Sequence, residues 1–298
     1  LKYIMNIWDE TMNKSRGLWI DRGKVRYAEF PVSPAGIFKM NTKEFNVFPG
    51  KITLDTQAAE QFSAGNGISY IKQKLLHGFT TLIHAVNIEY ESESDDCLQN
   101  TRHKLSDCPV DYIQAVKLPL ARMSESWMRS LRQQSVPIVI FYAESAYEIA
   151  AAPWQRFAEA MFPKRMMLIC KPLEKVTDMK EKAKIYASWK HIVDVFKFNS
   201  YYSFPDPGIP VSPFLAKRTG LFPKKGSLVM GSDADYLMYS SSAEQAAQPF
   251  KVPDIIVLKG KIVKTGTKWK LSNTKGKELT NLIPEKFLPI QEIYKYED

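Results

Sequence analysis

The sequence predicts an α/β protein in which a parallel sheet with helical crossovers is flanked by β-structure from both chain ends. Three observations carry this. Between residues 49 and 220, short apolar strands alternate with helical stripes, the pattern of βα units. Before residue 49 and after residue 226 the chain reads as strands and turns. Neither end is long enough to bury a sound core alone, so the two are expected to share one. The expected division is residues 1–48 with 221–298 as a composite β-domain, and 49–220 as the βα region.

Residues 1–15 carry no clear pattern. Residues 18–20 and 25–30 flank a turn containing Gly23 and read as a β-hairpin. Residues 38–48 read as a further strand pair. Pro49-Gly50 is a turn signal, and residues 51–55 a short strand with Ile52 and Leu54 apolar. Residues 58–66 read as a loop or irregular helix, 68–76 as a helix ending near Gly78, and 79–86 as a buried strand. An acidic loop is expected over 87–108 and a strand over 111–118. Ser124 is expected to cap a helix over 126–134. Residues 136–142 are the most obvious central strand. A helix over 145–160 should break at Pro153. Strand, helix and strand follow over 165–170, 179–189 and 192–198. Prolines 205, 207, 210 and 213 mark a loop, and residues 214–220 a short helix closed by Gly220. Strands are expected over 227–230, 236–239, 254–258, 261–264 and 267–271, then an extended tail.

Composition narrows the function classes. The 298 residues are 45% hydrophobic and 24% charged, ordinary for a water-soluble protein with a substantial core. There is no apolar run of transmembrane length, and the polar first residues are unlike a secretory signal; a cytoplasmic protein is expected. Cys97, Cys108 and Cys170 make no disulfide framework and are read as reduced thiols. The net charge of +9 is read as a solubility charge rather than a nucleic-acid footprint. A weaker reading makes Lys251, Lys259, Lys261, Lys264, Lys268 and Lys270 an anion-binding surface.

The stretch Val47-Phe-Pro-Gly-Lys-Ile-Thr-Leu-Asp-Thr-Gln57 resembles the end of the first barrel strand in amidohydrolase-superfamily enzymes, where Pro-Gly-x-Ile-Asp-x-His-x-His supplies two metal-binding histidines. Here Thr53 stands for the aspartate, and Asp55 and Gln57 for the histidines. Residues 212–235, with Lys225-Gly226 and Gly231-Ser-Asp-Ala-Asp235, resemble the junction of dihydropyrimidinase- and dihydroorotase-like members. Their Gly and Asp residues suit tight turns closed by side chains. His77-Gly-Phe-Thr-Thr-Leu82 is similar to the entry to the second strand. Residues 136–149 are similar to a later strand, with Tyr142 at the metal-ligand position and Glu144 beyond it. Lys117 stands roughly where some members carry a carboxylated lysine.

The resemblance implies a TIM-like βα barrel joined to a small β-sandwich. With only residues 49–220 to build it, the barrel is expected to be incomplete or distorted, since eight strands take about 200 residues or more. It also implies a degenerate metal site, with Asp55, Gln57, Lys117, Tyr142 and Glu144 as vestigial site candidates and no cofactor. An amide is a poor ligand for such metals, and a tyrosine stays neutral at its reference pKa of about 10. A pairing of Asp55 with Lys117 across the barrel mouth is one alternative. A rescued site from Asp55, His84, Glu144 and Asp206 is the minor alternative; His77, His103 and His191 are read as structural or surface residues. The leading expectation is a protein that binds a protein partner or small ligand, with homo-oligomerisation left open. The rival is a hydrolase of cyclic amides or other C–N bonds using zinc through altered ligands.

Overall fold

Alternating apolar residues at the N-terminus build the first sheet. β1 (Lys2–Asp9), β2 (Lys14–Asp21), β3 (Lys24–Glu29) and β4 (Phe38–Met40) lie in the order β3-β2-β1-β4, with β4 parallel to β1. This is a computed structural model, and it describes residues 1–9, 13–29, 36–164, 166–201, 205–241, 252–272, 274–280 and 282–284. The patternless first residues are a strand after all: Tyr3, Met5 and Ile7 face the sandwich core at period two, while Ile4 is buried on the other face and blurs the alternation. β5 (Phe45–Pro49) does not pair with β4 as expected. It runs antiparallel to β11 (Tyr236–Ser240), in a second sheet ordered β14-β13-β12-β11-β5 with β12 (Ile255–Leu258), β13 (Lys261–Thr265) and β14 (Lys268–Trp269). The two sheets bury Met5, Leu18 and Ile20 against Val47, Met238 and Val257. Tyr3 and Tyr236 join hydroxyls across this core at 2.8 Å. The chain ends thus build the sandwich together.

The third sheet is parallel and ordered β10-β9-β8-β7-β6: β6 (Lys51–Asp55), β7 (Phe79–Asn87), β8 (Asp111–Pro119), β9 (Ile138–Ala143) and β10 (Met167–Pro172). It is a curled half-barrel of five strands. The segment between its two edges touches both: Leu168 N donates to Asn199 O at 2.8 Å beside β10, and Val211 N donates to Ile52 O at 2.8 Å beside β6. Gly50 ties two of the sequence motifs together. A Cβ there would lie 2.1 Å from Thr80 Oγ1, so the glycine of Pro49-Gly50 and the Thr-Thr of β7 require one another.

Helices α1 (Ala58–Ser63), α2 (Gly67–Leu76), α3 (Ser94–Lys104), α4 (Glu125–Gln133), α5 (Ala146–Ala151), α6 (Trp154–Met161) and α7 (Met179–Phe196) cover one face of this sheet. α8 (Pro213–Thr219) and Leu279 of the C-terminal segment cover the other, against Leu54, Ile83, Ala115, Ile140 and Ile169. Ser124 caps α4 by accepting from Trp127 N, and Ser212 caps α8 by accepting from Leu215 N. The helical stretch breaks at Pro153, between α5 and α6.

Four expectations are corrected. The acidic loop over 87–108 contains α3, whose Asp95 and Asp96 in the first turn and Arg102, His103 and Lys104 in the last match the helix dipole. Residues 192–198 are no strand: Ile192 and Val193 continue the buried stripe of Ile185 and Trp189, so α7 runs on to Phe196 and stops at left-handed Lys197. A short apolar run reads as either element until its neighbours are placed. Residues 227–230 are turn rather than strand, with Leu228 buried against the sandwich, and β14 is only two residues long.

Half-barrel and sandwich meet at a buried lysine. Lys225 Nζ lies 2.6 Å from Asp111 at the start of β8, 2.9 Å from Asp233 and 2.6 Å from Asp235. Lys259 Nζ donates to Asp111 at 2.6 Å, and Lys259 N to Asp235 at 2.7 Å. Burial would lower the Lys225 pKa, but the three carboxylates hold it above the ordinary value. Burial likewise opposes ionisation of Asp111, and the two ammonium groups outweigh it, holding that carboxyl below its usual range.

Candidate functional site

β6 ends in Asp55, which is fully buried. Its Oδ1 accepts from Gln57 N at 3.1 Å and Ala58 N at 2.7 Å, stapling the start of α1 to the strand. His84 Nδ1 on β7 lies 3.1 Å from the same oxygen. Oδ2 accepts the Tyr70 hydroxyl of α2, and Lys74 Nζ of the same helix is 3.5 Å away. Burial alone would raise this carboxyl's pKa; the bonds from His84, Tyr70 and Ala58 N outweigh it and set it at about 2. Burial and the Asp55 bond in turn hold the Tyr70 phenol above its ordinary value.

Asp55 therefore serves the helix layer. Strand alternation turns Ile52 and Leu54 toward α8 and Asp55 the other way. Gln57 is exposed at the N-cap of α1, with no side-chain capping bond.

The carboxyl ends of the parallel strands, on the α8 side, hold a different set. Lys117 on β8, Tyr142 on β9 and Lys171 on β10 share the face of Ala115, Ile140 and Ile169. All three are half-buried. Register sets Lys117 beside Ile140, and Tyr142 between Pro119 and Lys171, so the lysines flank β9 just below and at Tyr142. Burial, then the Lys171 charge, lowers the Lys117 pKa, against a smaller opposing effect of Glu174. Burial and Glu174 raise the Tyr142 phenol, keeping it a neutral hydrogen-bond donor. Lys171 Nζ is 3.7 Å from Asp206, whose side chain is 79% exposed.

The Asp55–Lys117 pair does not form, because the two side chains leave the sheet on opposite faces. The rescued metal set is not assembled either. Asp55 and His84 meet in the helix layer. Glu144 is exposed and pairs with Lys175 at 2.7 Å, and Asp206 sits by Lys171. His77, His103 and His191 are exposed. Among the described residues, no three His, Cys, Asp or Glu side chains are grouped to hold a metal ion. Lys117, Lys171 and Tyr142 offer two ammonium groups and a neutral phenol there, which do not fit a zinc ion.

The lysine-rich surface is smaller than the sequence suggests. Lys259 is engaged by Asp111, Lys264 is buried and donates to Pro253 O at 2.6 Å, and Lys251 lies outside the described residues. Lys261, Lys268 and Lys270 are exposed. The sequence assigns no role to Lys171, which lies just past the strand expected over 165–170. The sole signal was its place one residue beyond the apolar run of β10, matching Lys117 at the end of β8.

No family model matches the chain, and no curated protein matches it. Solved structures do. The triazine hydrolase from Arthrobacter aurescens is similar at TM-score 0.54 and 10% identity, over 91% of this chain and 96% of that one. A D-hydantoinase is similar at TM-score 0.51 and 13% identity, over 94% and 98%. The dihydropyrimidinase from Brevibacillus agri is similar at TM-score 0.51 and 11% identity, over 96% and 100%. At these identities the likeness is one of fold.

Proposed function

We propose that this chain, which has the fold of amidohydrolase-superfamily enzymes, is catalytically degenerate and works by binding a protein partner or small ligand at the carboxyl ends of its parallel strands. One observation carries the reading. The only carboxylate left at the strand-one metal positions, Asp55, is spent on α1, Tyr70, His84 and Lys74, while the strand ends carry Lys117 and Lys171. Hydrolysis in this fold needs a cation that lowers the pKa of bound water and polarises a carbonyl. Ammonium groups repel such a cation. Fold alone does not fix activity. The reading includes the division of the chain into 1–48 with 221–298 and 49–220, which the pairing of β5 with β11 supports.

The test is turnover of hydantoin and dihydrouracil, cyclic amides of the kind the names of the D-hydantoinase and dihydropyrimidinase suggest, with and without added zinc. No ring opening above the buffer rate is expected in either condition. Zinc-dependent ring opening that a chelator abolishes would replace this reading with that of a hydrolase.

A further inference from the structure

We propose that the strand-end site takes a small molecule bearing a carboxylate or phosphate group, clamped between the Lys117 and Lys171 ammonium groups with the Tyr142 hydroxyl donating a third hydrogen bond. This rests on the binding reading above and names its ligand class.

Among the described residues, no carboxylate lies within ion-pair distance of Lys117. The one carboxylate beside Lys171 is Asp206, at the outer limit of an ion pair and largely in solvent. Glu174 is exposed and acts on Lys117 only from beyond ion-pair distance, Glu144 is held by Lys175, and Asp55 lies on the far face of the sheet. Two half-buried cations of one sign, without a buried counter-charge, repel each other more strongly than the same pair in water. An anion between them relieves that repulsion and receives charge-assisted hydrogen bonds. A neutral Tyr142 can donate where a phenolate would oppose. The carboxyl ends of parallel strands are also where open α/β sheets place their ligands. Lys72, Lys268, Lys270 and Lys275 edge two open hollows around Trp269, of about 580 and 600 Å³. Lys275 there is 3.8 Å from Asp107, both exposed, so that surface lacks a half-buried pair of lysines.

The experiment is calorimetric titration of the full chain with inorganic phosphate and, separately, with succinate, the two arms telling phosphate from carboxylate preference. Binding in either arm is expected, weakened at least about tenfold by Lys117→Met and by Lys171→Met, and unchanged by Lys270→Met. Absence of binding in both arms, binding that survives Lys117→Met, or binding lost only in Lys270→Met would each overturn the proposal. Should a strand variant fail to fold, the wild-type chain gives the answer. Phosphate or succinate should protect Lys117 and Lys171 from acetic anhydride, read by peptide mass spectrometry, and equal labelling with and without anion would overturn the proposal. Ring opening in the hydrolysis assay would instead sink the underlying binding reading, so the two failures are distinguishable.

Discussion

Lys225→Met is expected to cost about 3–5 kcal/mol of unfolding free energy, the range for a buried ion pair broken from one side. Lys225 is 1% exposed, and its partners Asp111, Asp233 and Asp235 are 0–7% exposed. Methionine fills similar volume but leaves three carboxylates without the ammonium they share, with the Lys259 ammonium still bonded to Asp111. They cannot reach water without opening the contact between the half-barrel and the sandwich. Typical total stabilities are about 5–15 kcal/mol, so the loss is a large share of the whole. Urea unfolding of the two proteins measures it. A difference below about 1 kcal/mol would mean that the cluster is better hydrated than its burial indicates.

Asp55→Ala is the second large effect, and it has a pH signature. Removing the carboxylate leaves Ala58 N, the Tyr70 hydroxyl and the buried His84 without their acceptor, at a cost on the order of 3 kcal/mol. The folded-state pKa of about 2 lies below the unfolded value of about 3.9. The stabilisation is therefore fully present above pH 4 and is lost as the pH falls through 4 toward 2. For a shift of this size it amounts to roughly 2–3 kcal/mol. Acid unfolding of the wild type should include this component, and the curve of Asp55→Ala should be flatter over the same window by that amount. Parallel acid curves with an unchanged plateau would show that Asp55 does not staple α1.

These two residues also show how far the sequence could be read. The turn before β6, the Thr-Thr of β7 and the Lys-Gly and Gly-Ser-Asp-Ala-Asp elements are local patterns. They disclosed the α/β architecture, the shortened barrel and the sandwich from both chain ends. What they disclosed less well is why the residues are there. Asp233 and Asp235 read as turn-closing side chains, yet they surround Lys225, and their shared neighbour Asp111 lies at the start of β8. That meeting exists only once the chain has folded.

Asp55 followed the same logic. Its alignment with a metal-ligand position was legible, but its direction was not. Alternation along a five-residue strand fixes which side chains go together, not which face meets which layer. α3 was hidden for another reason. Its stripe is thin, with Leu98 and Thr101 buried among polar residues, and its ordering of acidic before basic residues was the available signal. At the strand ends, Lys117 was singled out through the resemblance, whereas Lys171 became visible only when register set β10 beside β9.

On the binding proposal, lysines at the strand ends stand where a metal site would be. Elemental analysis of the protein purified without chelator tests it most directly, alongside thermal melting with and without added zinc. Zinc, manganese and nickel are expected at buffer level, with a melting temperature unmoved by zinc. Near one equivalent of any of these metals per chain, retained through dialysis and accompanied by a higher melting temperature, would contradict the proposal.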